Sequence, residues 1–488
     1  MNENTGNIKT THRDMQLDGF KKYAEQALAW IITYFENMRD YPVLSTKTPN
    51  EVKAQLPPSP PEQAEDFAQI LKDFESIIIP GITHWNHPRF FAYFSITGSL
   101  PGIIGELLSA ALNVNAMLWK TSPSATELEE MVLDWLRQML GLPEKFEGVI
   151  NDTASSSSMY AMAAARESTG LNIRESGMAG RENLPLLRMY TSEEAHSSVE
   201  KAAIVLGIGQ ENCIKIPTDE AFRMDVTALK QQLESDINAG YKPICVIATI
   251  GTTSTTSVDP IQEIADICQK HGIWLHVDAA YGGSAAVLPE NRKLFEGWER
   301  ADSIVMNPHK WLATQIDCSV LFCRKQDTLR QAFSLVPEYL RTAEEDEVKN
   351  LMDYGTSLGR RFRSLKLWFV IRAFGTEQIR EAIREHISFS QRLAELIDTQ
   401  DDFELLAPVP FSTLVFRYAP KDAETSEIEL NALNESLLHK INSSGEVYLS
   451  HTKVRGKYGI RLAIGNFKTT WEDIMLAWEI VQKEAAGL

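Results

Sequence analysis

The chain has 488 residues, 44% of them hydrophobic, which is enough for a large core and more than one domain. Lys and Arg number 48 against 66 Asp and Glu, a net charge of −18. That balance argues against nucleic acid or an anionic membrane as the main partner, since both need a basic surface. Residues 1–14 are polar and lack the apolar stretch of a secretory signal. No apolar run reaches the ~18 residues needed to span a bilayer. The five cysteines, Cys213, Cys245, Cys268, Cys318 and Cys323, are odd in number, irregularly spaced and without a Cys-x-x-Cys pair. They read as reduced, buried thiols of a cytoplasmic protein.

In chain order, residues 17–38 are predicted to form an amphipathic helix carrying Phe20, Tyr23, Trp30, Tyr34 and Phe35. The proline-rich stretch 57–61 is a linker, and a second helix is expected over 65–79, stopped by Pro80-Gly81. These helices need an outside surface for their apolar faces, so residues 1–98 are expected to be a helical appendage that docks on a partner subunit. Ser122-Pro123 opens a helix with Leu128, Met131, Val132, Trp135, Leu136 and Met139 on its apolar positions, closed by Gly141 and Pro143. Apolar strands over 187–190, 244–250, 273–277, 303–306 and 320–322 then alternate with helical patterns. That alternation implies βαβ units and a mostly parallel sheet whose ligands sit at the strands' carboxyl ends. The charged stretch 341–350 lacks apolar periodicity and reads as a mobile surface loop. Two helices follow, near Ser364 and from 377, and strands over 411–418 and 458–464 mark a small α+β domain. The expected boundaries are 1–98, 99–375 for the large α/β domain, and 376–488.

Two strand ends carry the chemistry. His276-Val277-Asp278-Ala279-Ala280 delivers a carboxylate, and Ser303-Ile304-Val305-Met306-Asn307-Pro308-His309-Lys310 delivers a lysine. A lone lysine is ordinarily a solvated surface charge, and a lone aspartate a cap or an ion pair. At neighbouring strand ends, the two are what pyridoxal phosphate chemistry needs: a Schiff-base amine and a carboxylate that keeps the pyridine nitrogen protonated. The segment Asp152-Thr153-Ala154-Ser155-Ser156-Ser157-Ser158 precedes a helical stretch and can offer backbone N–H groups to a phosphate, although by itself it also reads as a flexible serine loop. His196 follows the strand ending near Tyr190, where it could stack on a cofactor ring. Gly207-Ile208-Gly209 lacks the third glycine of a dinucleotide fingerprint. The pairs His84/His87 and His271/His276 join no cysteine or acidic cluster, so no metal site is expected.

With these residues in place, the chain resembles group II pyridoxal-phosphate decarboxylases of the aromatic-L-amino-acid decarboxylase family. The similarity runs from about Leu17 to the C-terminus. Beyond the lysine segment it is carried by Thr83-His84-Trp85, Phe90-Phe91-Ala92-Tyr93-Phe94, Thr126-Glu127-Leu128-Glu129 and Gly359-Arg360-Arg361-Phe362-Arg363-Ser364-Leu365-Lys366. The resemblance implies an aspartate-aminotransferase-like, fold-type I α/β enzyme with a seven-stranded-type sheet. It also implies a homodimer with shared sites and no nucleic acid or membrane partner. Lys310 would hold the cofactor, Asp278 would pair with its ring nitrogen, and His196 would stack on it and position the substrate. Ala154, Ser155 and Asn307 match phosphate contacts. Thr253 and Ala280 lie at cofactor positions, and His309 matches a residue supporting those contacts. Leu358 and Gly359 would reach the partner subunit's phosphate. Trp85, Tyr93, Phe94, Asn115 and Met117 match substrate-pocket positions.

Tyr339 matches the tyrosine that protonates the carbanion after carbon dioxide leaves, where relatives with phenylalanine tend toward aldehydes. The chain departs from the family at Ser95-Ile96, where animal members have Pro-Thr, and at Asp152 and Ser156, where many relatives have Gly and Glu. Asn115 and Met117 stand where the pocket wall is often Ile and Phe. Gly359, where histidine decarboxylases have serine, leaves room for a larger ring. The expected activity is decarboxylation of an aromatic L-amino acid. The alternatives are a non-aromatic substrate, aldehyde synthesis, or a cofactor-binding protein without turnover.

Overall fold

Apolar runs with no polar face cannot lie on a surface, so they assemble as the interior of one sheet. The computed structural model describes residues 14–335, 347–421 and 425–488. Among them, seven strands form the large sheet: β1 (Glu147–Asn151), β2 (Leu187–Ser192), β3 (Cys213–Ile216), β4 (Lys242–Thr249), β5 (Trp274–Asp278), β6 (Ser303–Met306) and β7 (Ser319–Cys323). Their order is β1-β7-β6-β5-β4-β2-β3. The pairs from β3 through β2, β4 and β5 to β6 are parallel, whereas β7 is antiparallel to both β6 and β1. The five expected strands are all present. The edge strands β1 and β3 were missed because Glu147 and Lys215 interrupt their apolar pattern.

The helix Pro123–Leu140 starts as its sequence requires, with the Ser122 side chain accepting the Ala125 N–H. It clamps β1 through a buried carboxylate. Glu129 Oε1 accepts the Ile150 N–H at 2.9 Å and pairs with Arg360 Nη2 at 2.9 Å. Arg360 also donates to the carbonyls of Ala116 and Ile150, so one ion pair ties three segments together.

The helix Leu100–Leu112 lies against the long helix Arg363–Asp398. Gly105 permits the contact, since a Cβ there would come within 2.6 Å of the Lys366 Cα. The two helices expected near Ser364 and from 377 are the two halves of Arg363–Asp398, broken at Gly375, whose φ of +64° interrupts the helical backbone.

The small sheet has the order β10-β11-β9-β8, antiparallel throughout. Its strands are β8 (Phe403–Leu405), β9 (Thr413–Tyr418), β10 (Ser450–Val454) and β11 (Lys457–Ala463). Phe416, Leu437, Ile460 and Trp478 share its core.

Part of the N-terminal segment packs on the chain's own small domain. The helix Leu17–Glu36 buries no residue, but Met38 and Val43 are buried, Val43 in a cluster with Tyr448 of the small domain. The Val43 N–H donates to Gly445 O and the Phe91 N–H to Tyr448 O, each at 2.9 Å. The second expected helix begins as Phe67–Asp73 and continues as a π-helical turn, Phe74–Ile78. It packs on the first helix through Tyr23–Phe67 and Trp30–Phe74, with centroids 4.7 and 4.9 Å apart. Of the stretch read as a loop, 341–346 lie outside the described residues. At its end Asn350 is buried and accepts the Trp119 N–H at 3.2 Å.

Removing one partner of a buried ion pair strands the other without compensation, at a typical cost of about 3–5 kcal/mol. Glu129→Ala is therefore expected to lower the urea unfolding midpoint by that equivalent. A wild-type midpoint would show that the Glu129–Arg360 pair is not what ties β1 to the helix.

Candidate active site

The site grows from the pairing of β5 with β6. Their parallel register sets Asp278 opposite Val305, so both chains leave the sheet at the same edge. The Ala279 N–H donates to Val305 O, and the Asn307 N–H to Ala280 O, which keeps the two exits side by side. A single helical turn, Pro308–Trp311, then folds Lys310 back toward Asp278. His309 pins the turn, its Nδ1 accepting the Cys318 N–H at 2.9 Å. An acceptor Nδ1 carries no proton, so the His309 ring proton sits on Nε2. Burial lowers the His309 pKa to about 4.

Lys310 keeps some exposure, yet the protein packed around it lowers its amine pKa. Burial is the main cause; Asp278 opposes it and Arg461 adds to it. The Lys310 Nζ lies 5.1 Å from the Phe94 ring centroid. Asp278 is 6% exposed and accepts the Ala280 N–H at 3.1 Å.

His196 lies in the turn after β2, open to solvent on one side. Its Nδ1 accepts the Ser198 N–H at 3.2 Å and lies 2.8 Å from Ser198 Oγ, so the neutral ring carries its proton on Nε2. Burial lowers its pKa, with Asp278 opposing and Lys310 contributing. Lys310, Asp278 and His196 thus share one electrostatic neighbourhood.

The serine run is helical, not a flexible loop: Ala154–Glu167 is an α-helix whose N-cap, Thr153, makes no side-chain bond to the first turn. The N–H groups of Ala154 and Ser155 are therefore open to an anion, where the helix dipole favours one. Ser157 and Ser158 face inward. Ser157 Oγ lies 2.9 Å from Ser319 Oγ, and Ser158 Oγ lies 3.1 Å from His276 Nε2. Asn307 Oδ1 is buried and has no hydrogen-bond partner among the described residues. The residues at this edge fit a phosphorylated pyridine aldehyde: an amine with lowered pKa, a carboxylate and open helix N–H groups.

The expected substrate residues fall into separate groups. Phe94 faces Lys310 and stacks on Tyr281 at 3.8 Å; Tyr281 stacks on Trp311 at 4.8 Å. Trp311 Nε1 donates to His386 Nδ1 at 2.9 Å. Tyr93 takes φ +54°, is 51% exposed and joins Trp85, Phe90 and Tyr448 instead. Asn115 Oδ1 accepts the Arg360 N–H, and its Nδ2 lies 3.3 Å from Met117 Sδ. A Cβ on Gly359 would meet only Asn115 Nδ2, at 4.0 Å, so that position has room. Leu358 and Thr253 are exposed, Ala280 is buried, and Tyr339 lies outside the described residues. Arg461 was missed. Its signal was a charge inside the apolar run Tyr458-Gly459-Ile460-Arg461-Leu462.

Residues 49–419 match the family described as "Pyridoxal-dependent decarboxylase conserved domain". The chain is 39% identical over 486 residues to phenylacetaldehyde synthase of Arabidopsis thaliana, covering 98% of each. It is 40% identical over 471 residues to tyrosine decarboxylase 2 of the same plant, covering 94% of this chain and 85% of that one. Among solved structures, Oryza sativa TDC with PLP and tryptamine superposes with a TM-score of 0.93 at 35% identity, over 98% of this chain and 99% of that one.

Asp278→Asn should retain pyridoxal phosphate, since the phosphate and amine contacts remain, but lose on the order of 10²-fold or more in turnover, the usual cost of removing an electrostatic partner from a reacting centre. Turnover within a factor of a few of wild type, at full cofactor content, would remove Asp278 from the reacting machinery.

Proposed function

The chain belongs to the pyridoxal-dependent decarboxylase family, and we propose that it converts an aromatic L-amino acid to the arylalkylamine and carbon dioxide. The observation that carries the aromatic reading is the ring wall at the amine, with Phe94 5.1 Å from Lys310 Nζ and backed by Tyr281 and Trp311. Such a wall favours a flat apolar side chain over a charged one. The names of the plant tyrosine decarboxylase and the rice protein's tryptamine complex support the same substrate class.

Bound pyridoxal phosphate supplies an electron sink for the pair left behind by the departing carboxylate. In this reading Lys310 would hold the cofactor through its amine. Asp278 would keep a proton on the ring nitrogen. The N–H groups of Ala154 and Ser155, with the Asn307 amide, would hold the phosphate. His196, with its proton on Nε2, would donate toward the substrate. Phe94 would orient the substrate's side chain.

The active unit in this reading is a homodimer of cytoplasmic subunits. The helix Leu100–Leu112 leaves Leu100, Ile104, Leu107, Leu108 and Leu112 at 42–62% exposure, and the helix Leu17–Glu36 leaves Leu17, Phe20, Leu28 and Ile32 at 52–83%. Apolar surface on that scale calls for a partner, and a second copy is the proposed one. All five cysteines are buried and unpaired, which suits a reducing compartment. Among the described residues, no helix is long and apolar enough to cross a membrane.

A second reading, aldehyde synthesis, is favoured by the relative named phenylacetaldehyde synthase. Tyr339 is the proposed proton donor that decides between the two, and general acid catalysis is worth roughly 10²–10⁴-fold. The test is to incubate the holoenzyme with the twenty amino acids and measure carbon dioxide, amine, aldehyde and peroxide. Amine and carbon dioxide in equal amounts from aromatic substrates are expected, with Tyr339→Phe shifting product toward aldehyde. Release from glutamate or an aliphatic substrate alone would overturn the aromatic assignment, and an unchanged product ratio in Tyr339→Phe would take the proton from another acid.

A further inference from the structure

Arg461 is a residue at the site for which the decarboxylase reading has no use. It lies on β11 opposite Ser450 and Val415, at 3% exposure. No carboxylate pairs with it among the described residues; the nearby Tyr281 phenol favours its protonated form, but burial pushes that phenol's own pKa up to about 12, so it is neutral at neutral pH. Burial lowers its pKa to about 10, so it remains a cation at neutral pH. Its Nη1–H donates to Tyr93 O, and its Nε–H to Ser254 O at 3.3 Å. Its Nη2 is buried with no partner among the described residues. A buried guanidinium without a carboxylate is costly, and an orphaned donor adds to that cost. An apolar residue in this strand would be the cheaper choice for stability alone.

Resting on the site reading above, we propose that Arg461 is a positioning residue for the reaction: it pins the Tyr93–Phe94 turn so that Phe94 faces Lys310, and it keeps a second positive charge beside that amine.

Both halves follow from the contacts. Tyr93 sits at φ +54°, a conformation that a bulky side chain rarely takes unless its surroundings fix it. Two bonds fix it here: Ser450 Oγ accepts the Tyr93 N–H at 3.1 Å, and Arg461 holds the Tyr93 carbonyl. The strained turn sends Tyr93 outward to Trp85 and Tyr448 and sends Phe94 inward. Phe94 then lies 4.5 Å from Arg461 Cζ and 5.1 Å from Lys310 Nζ, so the two cations share one ring.

The charged and titratable groups facing Lys310 are Asp278 from β5, Arg461 from β11, His309 from its own turn and His196 from the turn after β2. Asp278 favours the protonated amine, and Arg461 opposes it. A cation placed this way keeps a nucleophilic amine more often neutral. Bonding of Arg461 to the substrate carboxylate would instead stabilise the group that must leave, which slows the step.

The test uses the holoenzymes of Arg461→Lys and Arg461→Met, with cofactor content and its covalent attachment to Lys310 measured first. Failure of attachment in the wild-type protein would count against the site reading itself, independently of Arg461. The first readout is the pH midpoint of the visible absorbance of the lysine-bound cofactor. Arg461→Met should raise it by about one pH unit, a tenfold gain in proton affinity, and Arg461→Lys should leave it near wild type. The second is KM for an aromatic amino acid, expected to rise several-fold in both variants because neither holds both the Tyr93 and Ser254 carbonyls. A purely structural arginine would lower the thermal midpoint and move neither readout. An unchanged absorbance midpoint in folded Arg461→Met overturns the charge role, and an unchanged KM overturns the clamp. If Arg461→Met does not fold, Arg461→Lys decides: a raised KM with a retained absorbance midpoint supports the proposal, and a wild-type KM overturns it.

Discussion

The site depends on the register between β5 and β6. Because Asp278 pairs opposite Val305, the carboxylate and the lysine-bearing turn leave the sheet at one edge and on neighbouring strands. A slip of one residue would turn Asp278 to the other face and separate it from Lys310. The register is held mainly by packing and by main-chain bonds: the side chains of Trp274 to Val277 on β5 and the four of β6 are buried, and the Ala279 and Asn307 main-chain N–H bonds continue the pairing past the strand ends. Neutral His276 ties the same layer to the helix Ala154–Glu167 through Ser158, and to β6 through Ser303.

Around that edge the protein packs apolar rings against the amine, and burial lowers its pKa. The rings of Phe94, Tyr281 and Trp311 stack from the site into the core, and His386 receives the Trp311 N–H. The histidine then donates to Asn466 O, which fixes a neutral ring, and burial lowers its pKa to about 4. Asn466 in turn donates to the Asn86 and His87 carbonyls, so the turn that carries Lys310 is linked to the N-terminal segment and the small domain. The network around the site thus draws on both sheets.

The sequence exposed the large sheet's interior because its strands there are almost purely apolar, and it exposed Lys310 and Asp278 because polar residues ending such runs stand out. It hid what depends on partners far away in the chain. β1 and β3 carry charges at the sheet's edges, and β8 is only three residues long. Adjacent Tyr93 and Phe94 read alike in sequence, yet a positive φ sends them to different clusters, and the bonds that hold that φ come from Ser450 and Arg461. The serine run after Asp152 read as a loop because serine is a poor marker of helix. In the structure its serines bond inward to Ser319 and His276 instead of turning back on the main chain. Arg461 itself was visible as a charge in an apolar strand, but its surroundings were not.

The assignment of Lys310 is tested most directly by reducing the holoenzyme with borohydride, digesting it and locating the pyridoxyl group by mass spectrometry. The expected result is a pyridoxyl mass on the peptide containing Lys310 and on no other lysine. A pyridoxyl group on a different lysine, or full loss of the cofactor on dialysis after reduction, would contradict the site as built here.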